Sequence, residues 1–183
     1  FDYDNDSDLD LYVVQGSAVE GNALFENVGG IFVNRSQSSG ADDNGYGIGV
    51  ATGDYDNDGD VDLYVTNIGV NALLRNDGNG KFTDVTTFSG TEDEGFSACS
   101  AFGDLDGDGD LDLVVTKYLD SGLFTDRECL DAHSQRTYCN PTIYDAPMPD
   151  TLFINNGDGT FTDATESSGL ASVKGTGLGV FIS

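Results

Sequence analysis

The sequence predicts an all-β protein made of β-propeller blades, each a four-stranded antiparallel sheet of about 50 residues. One observation is an aspartate-rich loop that occurs three times at a nearly constant interval, beginning at Asp2, Asp54 and Asp104. Another is that each copy runs into an apolar, β-branched segment of the kind that forms strands. A third is that glycine is abundant and proline scarce, with 25 and 3 residues, which suits many tight turns between short strands.

The second repeat shows the strand pattern most clearly. Its four β-type segments cover residues 47–51, 61–66, 71–76 and 81–86. Residues 77–80, Asp-Gly-Asn-Gly, separate the last two and give a strong hairpin signal, which residues 156–159 and 28–30 echo. The predicted units are 1–46, 47–94 and 95–174, the third with an insert at 118–149, and 175–183 is the first strand of the next blade. We therefore expect roughly three blades of a larger ring.

The repeated loop has the composition of a cation site. Aspartate occupies loop positions 1, 3, 5, 7 and 9 in each copy: Asp2, Asp4, Asp6, Asp8 and Asp10; Asp54, Asp56, Asp58, Asp60 and Asp62; Asp104, Asp106, Asp108, Asp110 and Asp112. Carboxylates this close repel one another, and Ca²⁺, which takes six to eight oxygen ligands, relieves that repulsion. The pattern predicts three Ca²⁺ ions, held by the side chains at positions 1, 3, 5 and 9 and the carbonyl at position 7. A solvated acidic loop is the alternative.

Position 6 of the loop demands a sharp turn with positive φ. Gly59 and Gly109 meet that demand, whereas Ser7 tolerates it less well, so we expect the first site to be weaker or distorted. An EF-hand begins in the same way but needs a glutamate at position 12 and flanking helices. Valine stands at that position in all three copies, before a β pattern, and the EF-hand is excluded.

The net charge limits the partners. With 33 acidic and 7 basic residues the chain carries a formal charge of −26, so binding to nucleic acid or to an anionic membrane is not expected. The sequence has no apolar run long enough for a membrane-spanning helix. Tryptophan is absent, so aromatic contacts to a ligand would depend on tyrosine and phenylalanine.

The insert contains Cys129, Cys139 and the only histidine, His133. The two cysteines are close enough in sequence for a disulfide in an oxidising compartment, with two free thiols as the alternative. We expect Cys99 to be a small core residue and His133 to lie at the surface.

Asn34 begins an N-glycosylation pattern and is a candidate modification site. No nucleophile, acid–base pair or phosphate loop is evident, which predicts a protein that is not an enzyme.

The loop motif followed by the pattern L-[FL]-x-N-x-G-x-G-x-F-T-D-[VA]-T resembles the FG-GAP/VCBS repeat. The insert, with Cys129 and the run at 138–141, is similar to that of the cartilage acidic protein family, whose bacterial members often end in an UnbV-type domain. This resemblance implies an integrin-α-like, calcium-binding propeller of seven blades that is secreted or on the cell surface. It carries the metal ligands over to positions 1, 3, 5 and 9 of each loop.

Two classes of function follow from these expectations. The first is a non-enzymatic extracellular module for adhesion or assembly, with calcium stabilising the fold and with a protein or glycan, or further copies in an oligomer, as partner. The second is a carbohydrate-binding propeller that uses loop carboxylates on one face together with tyrosines from a candidate set: Tyr46, Tyr64, Tyr118, Tyr138 or Tyr144. A polysaccharide-active enzyme whose active site lies outside these residues is a further alternative, because the chain opens inside one loop and stops before another, as a piece of a longer protein would.

Overall fold

The computed structural model describes residues 1–17, 20–120, 128–137, 139 and 146–182. These residues form a nearly all-β protein, as the sequence predicted. The strands are β1 (Leu11–Val13), β2 (Ala23–Val28), β3 (Ile31–Asn34), β4 (Tyr46–Gly53), β5 (Asp62–Val70), β6 (Ala72–Asn76), β7 (Phe82–Asp84), β8 (Glu94–Gly103), β9 (Asp112–Leu119), β10 (Cys129–Leu130), β11 (Arg136–Thr137), β12 (Met148–Pro149), β13 (Thr151–Asn155), β14 (Phe161–Asp163) and β15 (Lys174–Gly175).

The repeats share one strand register. The first residue after each loop motif begins an antiparallel pairing with the next strand, as Leu11 with Phe25, Leu63 with Leu74 and Leu113 with Phe153. The third and fourth strands then pair as a hairpin in each repeat. β4–β7 and the set β8, β9, β13 and β14 each form an antiparallel meander, and β1–β3 form a three-stranded sheet of the same kind.

The sheets of repeats two and three meet at one end. β5 pairs with β8 from Ile68–Phe96 to Val70–Glu94, so the two meanders join into a single curled sheet. This end lies opposite the aspartate loops, because each loop is at the other end of the same strands. The arrangement is consistent with blades arranged about a common axis.

The hydrophobic core is divided between the repeats. One cluster packs residues of repeat one, such as Tyr3 and Leu24, against Leu63 and Phe82 of repeat two. A second cluster packs repeat two against repeat three in the same way, through Tyr55 with Phe153 and other residues. Residues 62–67 of β5 are buried on both faces of the sheet, as expected for a strand between two such clusters.

Two single-turn helices follow the fourth strand position and were not predicted. They are α1 (Ser36–Ser39) and α2 (Thr86–Ser89), and each ends at a glycine with left-handed φ. The side chains of Asn34 and Asp84 accept the backbone N–H of the residue two positions later, Ser36 and Thr86, at 3.0 Å in both cases. The signal was in the sequence: Asn or Asp two residues before Ser or Thr, and glycine four residues after that.

The insert leaves repeat three after β9, which continues to Leu119, beyond the predicted insert start at 118. Its described part contains a small hairpin, β10 with β11, and β12, which pairs with β15. Residues 175–183 were predicted to form the first strand of a further blade. Among the described residues no strand pairing continues beyond Gly175, and Gly177 donates its N–H to the Lys117 carbonyl at 2.9 Å. That further blade stays a prediction. No helix in the part of the chain that the structure describes could cross a membrane.

Candidate metal loops and their connections

The three aspartate loops occupy equivalent places at one end of the strands. Loop 2 (Asp54–Asp62) joins β4 to β5, and loop 3 (Asp104–Asp112) joins β8 to β9, while loop 1 (Asp2–Asp10) precedes β1. In each loop the carboxylates at positions 1, 3 and 5 converge, with one oxygen from each lying within 4.8 Å of the others. The sequence predicted these three ligands in each loop, and the fold brings them together.

The loop backbone is shaped by the position-1 aspartate and by two left-handed residues. Asp54 accepts the N–H groups of Asp58 and Gly59, both at 3.0 Å. Position 6 has φ of +73°, +95° and +98° in the three loops, as predicted. Ser7 adopts this conformation and donates to Asp2 at 3.0 Å, so loop 1 keeps the geometry of the others and the expected distortion is not present.

Position 4 is also left-handed, which the sequence reasoning missed. φ is +60° at Asn5, +59° at Asn57 and +84° at Gly107. Asparagine and glycine are the residues that most readily adopt this conformation, so the presence of Asn or Gly at position 4 of every loop could have predicted the second left-handed residue. Two left-handed residues separated by one position coil the loop so that positions 1, 3 and 5 face inward.

The position-3 carboxylates of loops 1 and 2 each have an oxygen without a hydrogen-bond donor. One oxygen, Oδ1, of Asp4 and of Asp56 is enclosed by protein and accepts no hydrogen bond. Burial, and then the negative charge of the position-5 aspartate, raises the pKa of Asp4, Asp56 and Asp106 above the usual value. A cation at the centre of loop 1 or loop 2 would supply the missing partner, whereas Oδ1 of Asp106 in loop 3 accepts the Asp108 N–H at 3.2 Å.

The position-9 aspartates lie beneath the loops as buried anchors. Asp62 is fully buried and accepts the N–H of Tyr55 at 3.1 Å and the N–H of Asn76 at 2.7 Å. Burial raises its pKa to about 7, and the two backbone hydrogen bonds oppose that rise. Asp10 and Asp112 are held by equivalent pairs of N–H groups. None of the three belongs to the cluster of positions 1, 3 and 5, so their role as direct ligands stays a prediction.

Position 7 connects neighbouring loops. Asn5 in loop 1 donates to the Asp60 side chain in loop 2 at 2.6 Å, and Asn57 in loop 2 donates to Asp110 in loop 3 at 2.7 Å. The sequence assigned only the carbonyl of position 7 a role, and these side-chain bridges could not be foreseen without the placement of one repeat against the next.

Position 2 anchors each of the first two loops in the following repeat. The ring of Tyr3 stacks on Phe82 with centroids 6.3 Å apart, and Tyr55 packs on Phe161 at 5.5 Å. Both rings are buried, and burial raises the pKa of both hydroxyls, that of Tyr3 to about 12. At the same position of loop 3, Leu105 is 45% exposed.

The FG-GAP-like repeat matches the chain twice, over residues 2–65 and 54–115. Each match begins at one loop and ends just after the next loop, which is the period seen in the structure. The chain belongs to the FG-GAP-like repeat family. The similarity to the cartilage acidic protein and UnbV-type proteins stays a prediction, because the match covers the repeats alone. No curated protein matches the chain.

Two predicted features outside the FG-GAP loops can be placed. Cys129 and Cys139 form a disulfide with Cα atoms 5.2 Å apart, as predicted. Asn34, the candidate glycosylation site, is exposed, but its Oδ1 accepts both the backbone N–H and the hydroxyl of Ser36. The Asn34 side chain therefore orders the turn that starts α1, and its glycosylation stays a prediction.

Several other expectations need correction. Tyr64, a candidate glycan contact, is fully buried and donates to the Thr91 carbonyl, so it cannot contact a ligand. Tyr46 is 44% exposed, Tyr118 is partly buried against Phe96, and Tyr138 and Tyr144 lie outside the described residues. Cys99 is partly exposed rather than a core residue. His133 is exposed in a turn, as predicted.

Proposed function

We propose that this chain is a calcium-binding propeller module in which Ca²⁺ stabilises the fold. The observation that supports it best is the pair of enclosed, unpartnered oxygens on Asp4 and Asp56, each within a cluster of three converging carboxylates. Hard oxygen ligands from carboxylates and a carbonyl are the donor set that Ca²⁺ prefers. Three equivalent loops at the same end of the strands correspond to about three ions.

The ligands would come from each loop in the same way. In loop 2 the side chains of Asp54, Asp56 and Asp58 would bind the ion, together with the Asp60 carbonyl and the buried Asp62. The ion would neutralise charge that the folded chain otherwise holds at close range and would clamp the turn between the first two strands of a blade. Because the unfolded loop is not organised to bind Ca²⁺, binding free energy adds to the free energy of unfolding.

The setting we propose is extracellular, with a role in adhesion or assembly. A disulfide in the insert supports an oxidising compartment. The strongly negative charge, −26, disfavours nucleic acid and anionic membranes as partners. A protein or glycan partner, or further copies of the chain, fits these properties, and no enzymatic activity is proposed.

The test is a calcium titration by calorimetry together with a thermal melt in calcium and in EDTA. We expect about three bound ions and a melting temperature that falls sharply with the chelator. Asp56→Asn should remove about one ion while keeping the hydrogen bonds that organise loop 2, because the N–H groups of Asp58, Gly59 and Asp60 donate to Asp54 and Asp58, which stay in place. A Glu94→Gln variant, which changes the charge equally outside the loops, is the matched control. An unchanged melt in EDTA would sink the calcium assignment.

A carbohydrate-binding surface is the second candidate, and one observation favours it. A polar groove of about 770 Å³ lies at the end of repeat one opposite the loops, lined by Asn22, Arg35, Ser36 and Asp42 among others. A smaller groove of about 220 Å³ recurs in repeat two, where Asn71, Thr86 and Glu92 hold the corresponding places. Amide, hydroxyl and carboxylate groups suit sugar hydroxyls. A glycan array probed with the calcium-loaded protein and with Asp42→Ala tests it, and an absence of hits would remove it.

A further inference from the structure

We propose that calcium binding at neighbouring loops is coupled, and that Asn76 and Asn155 are the positioning residues that couple it. This inference rests on the proposed calcium sites and concerns how one site is connected to the next. These two residues, called here the boundary asparagines, end β6 and β13, the third strands of repeats two and three.

Each boundary asparagine contacts two loops at once. The Asn76 backbone N–H donates to the Asp62 carboxylate in loop 2 at 2.7 Å. Its side-chain amide donates to the Val61 carbonyl in loop 2 at 3.3 Å and to the Tyr3 carbonyl in loop 1 at 2.8 Å. The residue is fully buried, so water does not compete for these bonds. A shift of either loop must therefore be accommodated by the other.

The same contacts recur at the next boundary. The Asn155 backbone donates to Asp112 in loop 3 at 2.9 Å, and its side chain donates to the Leu111 carbonyl in loop 3 at 3.1 Å and to the Tyr55 carbonyl in loop 2 at 2.8 Å. Asn155 is 3% exposed. Two independent copies of one arrangement show a feature of the repeat rather than an accident of one boundary.

The two boundaries join into one chain of hydrogen bonds. Tyr3, whose carbonyl receives Asn76, donates its own N–H to Asp10 at 3.0 Å, and Tyr55 likewise donates to Asp62 at 3.1 Å. The path therefore runs from Asp10 through Tyr3 and Asn76 to Asp62, and onward through Tyr55 and Asn155 to Asp112. It links the position-9 carboxylates of all three loops through groups that are buried or nearly so.

A second connection reinforces the path at each boundary. The amides of Asn5 and Asn57 reach the position-7 carboxylates of the following loop, and the rings of Tyr3 and Tyr55 pack on aromatic residues of the following repeat. An ion that moves positions 7 and 9 of one loop inward would also move positions 2 and 4 of the loop before it. Position 4 is bonded directly to position 7, and position 2 is connected to position 9 through the boundary asparagine. Ordering one loop then lowers the entropy that the neighbouring loop must still lose on binding.

The experiment compares the chain with and without an intact middle site. Ca²⁺ is titrated by calorimetry into the wild-type chain and into Asp56→Asn, which disables loop 2 alone. We expect the two remaining sites in Asp56→Asn to bind about fivefold or more weakly than in the wild-type chain, the scale of ordinary coupling between sites. In Asn76→Ala/Asn155→Ala, adding Asp56→Asn should leave the affinities of the outer sites unchanged.

Asn27→Ala is the matched control. Asn27 holds the equivalent place in repeat one and makes the equivalent bonds within its own repeat, to Asp10 and Leu9, but makes no hydrogen bond to another loop among the described residues. Asn27→Ala should keep the fivefold effect of Asp56→Asn. A melt of each variant in EDTA separates a loss of coupling from a general loss of stability.

The outcomes distinguish this inference from the function it rests on. If the chain binds no calcium, the proposed function fails. If it binds three ions and Asp56→Asn leaves the other two affinities unchanged, the calcium sites stand and the coupling is overturned. If coupling exists but Asn27→Ala abolishes it as fully as the boundary variants do, the boundary asparagines are not its carriers. Because Asp56→Asn alters only one partly buried loop residue, it tests the coupling even if the boundary variants fail to fold.

Discussion

At the scale of single residues, the three loops can be compared as natural substitutions at the same loop position. Serine stands at position 6 of loop 1 where loops 2 and 3 have glycine, yet the backbone conformation is the same, with φ of +73° at Ser7 and +95° at Gly59. The sequence predicted the turn and its residue preference. It could not show that loop 1 would accept the left-handed conformation instead of distorting, because that depends on the bonds which Asp2 makes to the loop backbone.

The serine should therefore store strain that glycine would release. We expect Ser7→Gly to stabilise the calcium-free protein by up to about 1 kcal/mol, since a non-glycine residue in the left-handed region costs of that order and the greater freedom of glycine when unfolded offsets part of the gain. Gly59→Ser should destabilise by a similar amount. Chemical denaturation in EDTA measures both. Changes of the same sign in the two reciprocal variants would contradict the argument.

Asn34 offers a second residue-scale test. Its carboxamide oxygen accepts two hydrogen bonds from Ser36, and Asp84 makes the same two bonds to Thr86. We expect Asn34→Ala to lower stability by about 1 kcal/mol, because the buried hydroxyl and N–H of Ser36 lose their acceptor. Asn34→Asp should remain close to wild type, as the second repeat demonstrates that aspartate fits.

Thermal melts of the two variants provide the measurement, and both changes abolish the glycosylation pattern. If the two variants lose equal stability, the turn does not depend on the acceptor. If the mass of protein from a glycosylating host changes only by the mass of the substitution, Asn34 carries no glycan.

At the scale of strands, the sequence predicted the repeat and the order of its segments better than the contacts between repeats. Apolar, β-branched segments and turn residues are local signals, so β4 to β7 and the hairpins could be predicted. The polar pairs that lie between blades join residues distant in sequence, such as Asn155 and Tyr55. Nothing near either residue in the sequence marks the other.

Lys117 is the clearest case of such a hidden pair. It is 1% exposed at its side chain, forms an ion pair with Asp93 at 2.6 Å and donates to the Glu94 carbonyl and to Ser97. In the preceding repeat, neutral Asn67 holds the equivalent place and donates to Asp43. Burial raises the pKa of Asp93 despite the ammonium group beside it, so desolvation outweighs the attraction.

Removing one partner should be far more harmful than changing the type of pair. We expect Lys117→Met to destabilise by about 3 kcal/mol or more, because it leaves Asp93 buried without its counter-ion. Lys117→Asn, which copies the preceding boundary, should lose less than half as much because its amide can still donate to the carboxylate. Equilibrium urea unfolding gives the comparison. If the two variants lose equal free energy of unfolding, the loss comes from the change in side-chain volume and not from the broken pairing with Asp93.

At the scale of the whole molecule, the negative charge and the proposed calcium ions both bear on the stability of the fold. The chain has a formal charge of −26, and its fifteen loop aspartates are concentrated at one end of the strands. Family membership, fold and disulfide were all accessible from sequence. The relation between the loops was not, because it depends on how successive sheets pack around the two core clusters.

General screening and specific binding can be separated by their ion dependence. In EDTA, we expect the melting temperature to rise gradually with NaCl, because salt weakens repulsion among exposed charges over distances of about 10 Å at 0.1 M. At fixed ionic strength, micromolar to millimolar CaCl₂ should raise it further and saturate, whereas Mg²⁺ should do less, since it favours strict octahedral geometry and retains its water. The Asp56→Asn variant should keep the response to NaCl and lose part of the response to Ca²⁺. If Mg²⁺ and Ca²⁺ stabilise the protein equally, the loops act as a diffuse negative surface and not as three defined sites, because only a defined site selects between two ions of the same charge.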